Sequence, residues 1–214
     1  MPALEKISHS KWVQQLFPSC IWSFPSDEEK TIYLTFDDGP VEEITPWVLE
    51  TLNKYQAKAT FFCVGENVER NPSLYQKIIA SGHSVGNHTY SHKNGWKTLY
   101  SDYIKDVSEG EKYIKSDLFR PPYGKLKPLQ IKALKKKFQI IMWSFITGDY
   151  LKTLNKELVL EEMKNKITSG DIVVFHDSIK AEKNLKFLLP EVLAFYSSLG
   201  YRFKSIQQLK AGIY

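Results

Sequence analysis

Two adjacent carboxylates close an apolar run in Thr35-Phe36-Asp37-Asp38-Gly39-Pro40. A β-strand sends successive side chains to opposite faces. Both aspartates inside a regular strand would therefore leave one carboxylate unpaired in the core, a costly placement. The pair is expected where the strand stops and the alternation breaks. Further along, His88-Thr89-Tyr90-Ser91-His92 sets two imidazoles four residues apart, one above the other if the segment is helical. One carboxylate with two imidazoles suits zinc, and three protein ligands leave a position open for water and substrate. The second aspartate remains for acid–base work. Two histidines at this spacing are commonly a surface pair, and it is the aspartate pair that makes them a candidate metal set.

Other polar groups also follow predicted strands. Arg120 opens Arg120-Pro121-Pro122-Tyr123-Gly124 and could hold a catalytic carboxylate in place as its ion-pair partner. The turn behind it is stiff, and its backbone N–H groups could face a developing oxyanion. Asp149 follows a fifth strand. His176 follows a sixth, where an imidazole can act as a general acid near neutral pH. His83 begins its strand, at the end away from these groups, and with His9 it is read as structural.

The elements that must position these residues alternate along the chain. Strands are expected at 31–35, 59–64, 83–86, 118–119, 138–145, 171–175 and 201–204. Helices are expected from Thr45-Pro46 and from Asn71-Pro72, each an N-cap residue followed by proline. Others are expected over 100–114, 129–134 and 158–167, and within 184–199 with an interruption near Pro190; a last helical turn follows residue 204. Such alternation predicts a parallel sheet, whose strand C-termini lie on one face. Residues distant in sequence then converge there. At 214 residues, with 1–28 read as an N-terminal extension packing on a domain of 29–214, the chain is short for an eight-fold barrel of about 250 residues. A smaller, incomplete α/β barrel of about seven strands is expected.

Composition narrows the function classes. The net charge of +5 is spread along the chain, with one short cluster at Lys135-Lys136-Lys137, which argues against a nucleic-acid partner. Aromatics at 14% suit a sugar-stacking surface or a well-filled core. Cys20 and Cys63 form no disulfide framework. No stretch reaches transmembrane length. The apolar residues near the N-terminus (Trp12, Val13, Leu16, Phe17) are interrupted by polar ones, so no signal-peptide core is visible. The expectation is a cytoplasmic or peripherally membrane-associated chain, unless an export signal lies outside this sequence.

Taken together, these motifs resemble the polysaccharide deacetylase family (the NodB-homology domain, carbohydrate esterase family 4), from about Thr31 to the C-terminus. The family's first motif resembles Thr35 to Pro40, which implies Asp37 as catalytic base and Asp38 as metal ligand. The second resembles His88 to His92, both histidines binding metal. The third resembles Arg120 to Gly124, with Arg120 orienting the base and the Tyr123 backbone in an oxyanion hole. The last resembles Val174-Phe175-His176, with His176 as catalytic acid, although Val174 stands where leucine is frequent. The fourth motif, usually Asp-x-x-Asp-Trp, departs: Ile146-Thr147-Gly148-Asp149-Tyr150 keeps only the second aspartate. The resemblance implies that Asp149 holds Arg120, and that Tyr123, Pro122 and Tyr150 face the sugar.

The implied fold is a distorted, incomplete (β/α) barrel. The implied cofactor is a divalent metal, zinc first, with cobalt, nickel or manganese as alternatives. The implied reaction is removal of N-acetyl groups from N-acetylated sugars such as those of peptidoglycan or chitin. The alternatives are O-deacetylation, as in acetylxylan esterases, and a metal-retaining carbohydrate-binding protein without turnover. A glycosidase is disfavoured, because its two carboxyls must flank a bond at least about 5 Å apart and these two are sequence neighbours.

Overall fold

A computed structural model describes residues 17–25 and 29–207; His9, the apolar residues from Trp12 to Leu16, and the expected last helical turn lie outside the described residues. Strand β1 (Cys20–Ile21) belongs to the segment expected to be an extension. Then follow β2 (Thr31–Asp37), α1 (Thr45–Lys54), β3 (Thr60–Cys63), α2 (Gly65–Arg70), α3 (Pro72–Ala80) and β4 (Ser84–Asn87). Helix α4 (Tyr100–Tyr113), β5 (Leu118–Phe119), a 3₁₀ turn (Pro122–Gly124), α5 (Pro128–Leu134), β6 (Gln139–Ile141) and β7 (Phe145–Ile146) come next. The chain continues through α6 (Lys156–Lys166), β8 (Ile172–His176), α7 (Glu182–Ser198) and β9 (Arg202–Phe203).

Among the described residues, nine strands form one sheet in the order β1-β6-β5-β4-β3-β2-β8-β7, with β9 beside β2, and every strand pair is parallel. Three residues separate β6, near one end of that order, from β7 at the other. The sheet therefore curls until one bent segment serves both sides, which makes a distorted, incomplete (β/α) barrel. The count exceeds the expected seven because β1, in the segment expected to be an extension, adds a two-residue strand and because the single strand expected over 138–145 is broken into β6 and β7. The break has a cause: the carbonyls of Ile141 and Met142 accept hydrogen bonds from the Arg120 guanidinium at 3.2 and 2.8 Å.

Alternation along the strands sorts residues into two cores. Ile32, Leu34 and Phe36 of β2, Phe61 and Cys63 of β3, and Val173 and Phe175 of β8 face the outer layer, where α7 adds Leu185, Leu188, Val192 and Tyr196. Phe62, Phe119, Ile141, Trp143, Ile172 and Val174 fill the inner one. Thr35, Asp37 and His176 fall on the inner side by the same period of two. Helix α7 runs unbroken through Pro190, contrary to the expected interruption. Its closely packed apolar face outweighs the one backbone hydrogen bond that proline removes. Helix α2, which the sequence reading lacked, fills the segment between β3 and α3. Among the described residues, no helix is long and apolar enough to cross a membrane.

Candidate active site

Strand β2 does not stop before the aspartate pair. Asp37 is its last residue, nearly fully buried, and the alternation breaks only at Asp38, whose φ is 82°. The burial is tolerable because Asp37 is paired. Arg120 Nη1 donates to Asp37 Oδ1 at 2.8 Å and to Thr35 Oγ1 at 2.7 Å. Arg120 is itself 0% exposed, and its guanidinium carbon lies 4.1 Å from the Phe62 ring centroid, so cation–π attraction replaces part of its lost hydration. In the parallel register of β2 and β8, Asp37 is the partner of His176. Neighbouring strands lie about 4.8 Å apart, which brings a carboxylate and an imidazole together on one inner face.

Asp38, His88 and His92 form a group whose donor atoms could hold a metal ion. One donor atom from each lies within 4.8 Å of the others; Asp38 Oδ1 is 3.2 Å from His92 Nε2 and 3.8 Å from His88 Nε2. The His88–His92 segment is not helical, as its spacing alone would allow. Thr89 and His92 take φ of 64° and 55°, and this irregular turn brings the rings to a centroid separation of 5.1 Å. Among the described residues, four of the five non-glycine residues at positive φ (Asp38, Thr89, His92 and Tyr123, the other being Gln56) belong to this region, the clustering of backbone strain typical of functional sites.

The donors fit a metal ion. His88 Nδ1 meets the Arg120 carbonyl at 2.8 Å. A carbonyl can only accept, so Nδ1 carries the proton and Nε2 keeps its lone pair for a ligand role. Burial pushes the His88 imidazole down to about 4, against the charges of Asp37 and Asp38, which keeps it neutral as ligation requires. Burial disfavours the Asp38 carboxylate, but the hydrogen bond from His92 and the charges of His176, His88 and His92 hold its carboxyl well below the usual range.

Asp149 does not hold Arg120. Its Oδ1 lies 2.7 Å from His176 Nδ1, and its Oδ2 accepts the His176 backbone N–H at 2.8 Å. The arginine has no need of it, being bonded to Asp37, Thr35 and two carbonyls of the broken strand. Burial works against a charged His176, but the charge and hydrogen bond of Asp149 outweigh it. With smaller contributions from Asp38 and Asp37, they push the imidazole up to about 9. The Tyr150 ring packs edge-on against His176 at 4.8 Å, and the Tyr123 ring against His92 at 4.7 Å. Tyr123 and Tyr150 are exposed, whereas Pro122 is buried and supports the turn instead of facing solvent. His83, at the start of β4, accepts the Ala59 backbone N–H at 3.2 Å, away from the site.

Residues that the sequence analysis did not assign to the site brace the aspartate turn. Asp177 is buried; its Oδ1 accepts from Gly39 N–H at 3.1 Å and its Oδ2 from Thr45 Oγ1 at 2.6 Å. A Cβ on Gly39 would stand 2.0 Å from Asp177 Oδ2, so only glycine fits. Asn67 Nδ2 donates to the Asp38 carbonyl at 2.7 Å and Asn71 Nδ2 to that of Pro40 at 3.3 Å. Asp106 accepts from Ser91 N–H and Oγ at 3.1 and 2.7 Å and so holds the histidine turn. The signal for Asp177 was its place directly after His176; the rest had none without the fold.

Comparison with known proteins identifies the family. Residues 25–141 match the family model described as polysaccharide deacetylase. A peptidoglycan-N-acetylglucosamine deacetylase of Bacillus cereus is 35% identical over 88% of this chain and 91% of its own length. One of Listeria monocytogenes is also 35% identical over 84% of this chain, which spans 39% of that larger protein. The crystal structure of a peptidoglycan N-acetylglucosamine deacetylase in complex with a naphthalenyl N-oxidanyl-benzamide superposes with a TM-score of 0.80 at 28% identity, over 93% of this chain and 95% of that one. A pseudoenzyme of carbohydrate esterase family 4 from Bacillus anthracis superposes at 0.74 with 26% identity, over 88% and 68%.

Proposed function

We propose, from the premise that the chain belongs to the polysaccharide deacetylase family, that it is a divalent-metal-dependent hydrolase removing N-acetyl groups from the amino sugars of peptidoglycan. The observation that carries this reading is the pairing of Asp37 with His176 across β2 and β8, beside the Asp38, His88 and His92 donors. A fold likeness alone would not suffice, since a pseudoenzyme shares it. What argues for turnover here is a carboxylate and a proton-bearing imidazole retained together, for which pure binding has no use.

Asp38, His88 and His92 would hold the metal. Two imidazoles and one carboxylate with an open position suit zinc, and cobalt, nickel or manganese would occupy the same donors. A bound divalent ion supplies Lewis acidity to the acetamide carbonyl and to the attacking water. Asp37, fixed by Arg120 and not free to swing, takes the proton from that water as it attacks. The Tyr123 backbone N–H donates to the oxyanion, a role supported by the tight turn that Gly124 N–H closes on Pro121 O at 3.0 Å. His176 gives its proton to the departing amine through Nε2, its Nδ1–H being engaged by Asp149. An amide nitrogen leaves poorly unless protonated, and an imidazole raised to about 9 is charged at neutral pH. This favours N-deacetylation over ester cleavage.

The test is acetate release from peptidoglycan glycan fragments, with metal content measured on the same sample. Wild-type protein is expected to release acetate, to stop with chelator, and to recover when zinc is restored. Asp37→Asn, whose carbonyl can still accept from Arg120, should keep its metal and lose roughly 10²–10⁴-fold in kcat, the range for general acid–base groups. Metal-loaded wild type that releases no acetate would overturn the function. Asp37→Asn at full rate would overturn the base assignment.

A further inference from the structure

The loop that follows His92 and the segment that follows Tyr123 are joined into one surface. The Tyr123 ring that packs on His92 is 59% exposed, and two residues later Lys125 sets its Nζ 5.1 Å from the ring centroid of Trp96, also 59% exposed. The loop carrying Trp96 is the one that leaves His92 towards α4, so a metal donor and this indole share one short segment. That loop is locked to the segment after Tyr123. Trp96 Nε1 donates to Leu126 O at 3.1 Å, Lys127 Nζ to Thr98 O at 2.9 Å, and the buried Gln130 to Gly95 O at 3.0 Å. The loops approach so closely that a Cβ on Gly95 would lie 2.2 Å from Lys125 O.

An indole pinned by its N–H edge and largely open to water is costly to expose and preorganised to stack. The ammonium beside it has no carboxylate partner among the described residues. Stacking ring and unpaired cation together fit a sugar bearing an anionic substituent.

We propose that Trp96 and Lys125 form a specificity subsite next to the reacting sugar. Trp96 stacks on the neighbouring ring, and Lys125 pairs with a carboxylate carried by that ring. In peptidoglycan this is the lactyl ether carboxylate of muramic acid, or a carboxylate of the peptide attached through it. A neutral chitin chain offers neither. The inference rests on the deacetylase reading above and deepens it: this chain distinguishes a glycan of alternating neutral and acidic sugars from a uniform neutral one.

The experiment measures kcat/KM for three oligosaccharides of equal length: a chitin oligomer, a peptide-free alternating N-acetylglucosamine–N-acetylmuramic acid oligomer, and the same oligomer with its peptides attached. Lys125→Gln should lower the ratio of the peptide-free acidic substrate to chitin by up to about 5-fold, the range of an exposed ion pair. The loss should appear in KM more than in kcat, shrink in 1 M salt, and be restored by Lys125→Arg. Trp96→Ala should raise KM on both glycans by roughly 2- to 10-fold, with Trp96→Phe intermediate. If the Lys125→Gln ratio falls only on the peptide-bearing substrate, the carboxylate read is the peptide's. If the ratio is unchanged on both acidic substrates while wild type is active, the subsite is wrong and the function stands. Wild type inactive on all three removes the function and the subsite with it.

Discussion

Asp37 and Asp149 are both buried carboxylates on the inner side of the sheet, and each has one cation: Arg120 for the first, His176 for the second. Under the proposed function, this division separates the two proton-transfer tasks. Arg120 is unable to give up a proton, so its pairing with Asp37 fixes the base without competing for the proton it receives. His176 can, and Asp149 both raises its affinity for the proton and turns Nε2 towards the site. Asp149→Asn should therefore act through His176. With the first cause of its raised pKa removed, the imidazole falls from about 9 towards its ordinary value. The alkaline limb of the kcat profile should move to lower pH, and kcat at neutral pH should fall roughly 10²-fold or more. A profile that drops in height without moving would show that Asp149 only supports the fold. The resemblance paired Asp149 with Arg120, a choice that sequence cannot make, because both cations follow strands that reach the same face.

At the scale of elements, two helix starts were legible, but their purpose was not. Thr45 and Asn71 precede prolines as N-caps do, yet Thr45 is the first helical residue, with Ile44 at the cap, and Asn71, which is the cap of its helix, makes no capping hydrogen bond. A cap contributes about 1 kcal/mol, and both side chains are used instead to hold the aspartate turn, Asn71 directly and Thr45 through Asp177. Strand positions were readable to within a residue or two from apolar runs between turn signals. The break after Ile141 was not readable, since it depends on Arg120 reaching carbonyls twenty-odd residues away in sequence. The Asp177 brace is testable. Burial pushes its carboxyl up to about 8, against the hydrogen bond from Thr45 and with the charge of Asp38. A neutral amide is then a close mimic. Asp177→Asn keeps an acceptor for Gly39, and the Thr45 hydroxyl can rotate to accept, so the loss should stay under about 1 kcal/mol. Asp177→Ala strands two buried donors and should cost about 2–3 kcal/mol or more and lower kcat with it. Equal melting temperatures for the two variants would remove the brace from the account.

For the whole molecule, the parallel topology is what turns scattered residues into one site. The donors come from the ends of β2 and β4, which are not neighbours: β3 lies between them. A metal on Asp38, His88 and His92 would thus tie two separate strand ends across a third, in a sheet whose two sides are joined by the bent β6–β7 segment and by the Ser23–Asp171 bridge. Ligation would then stabilise the native state as a whole, because the unfolded chain does not hold these three donors together. At metal concentrations near a hundred times Kd the gain is about 2.7 kcal/mol. For a domain of this size that corresponds to a melting temperature higher by about 5–10 °C. Removing metal with chelator should reverse the gain, and His92→Ala, the more exposed imidazole of the pair, should melt near the chelated wild type whether or not metal is added. If His92→Ala with metal melts as high as metal-loaded wild type, the three residues do not form the metal site, however well their side chains converge.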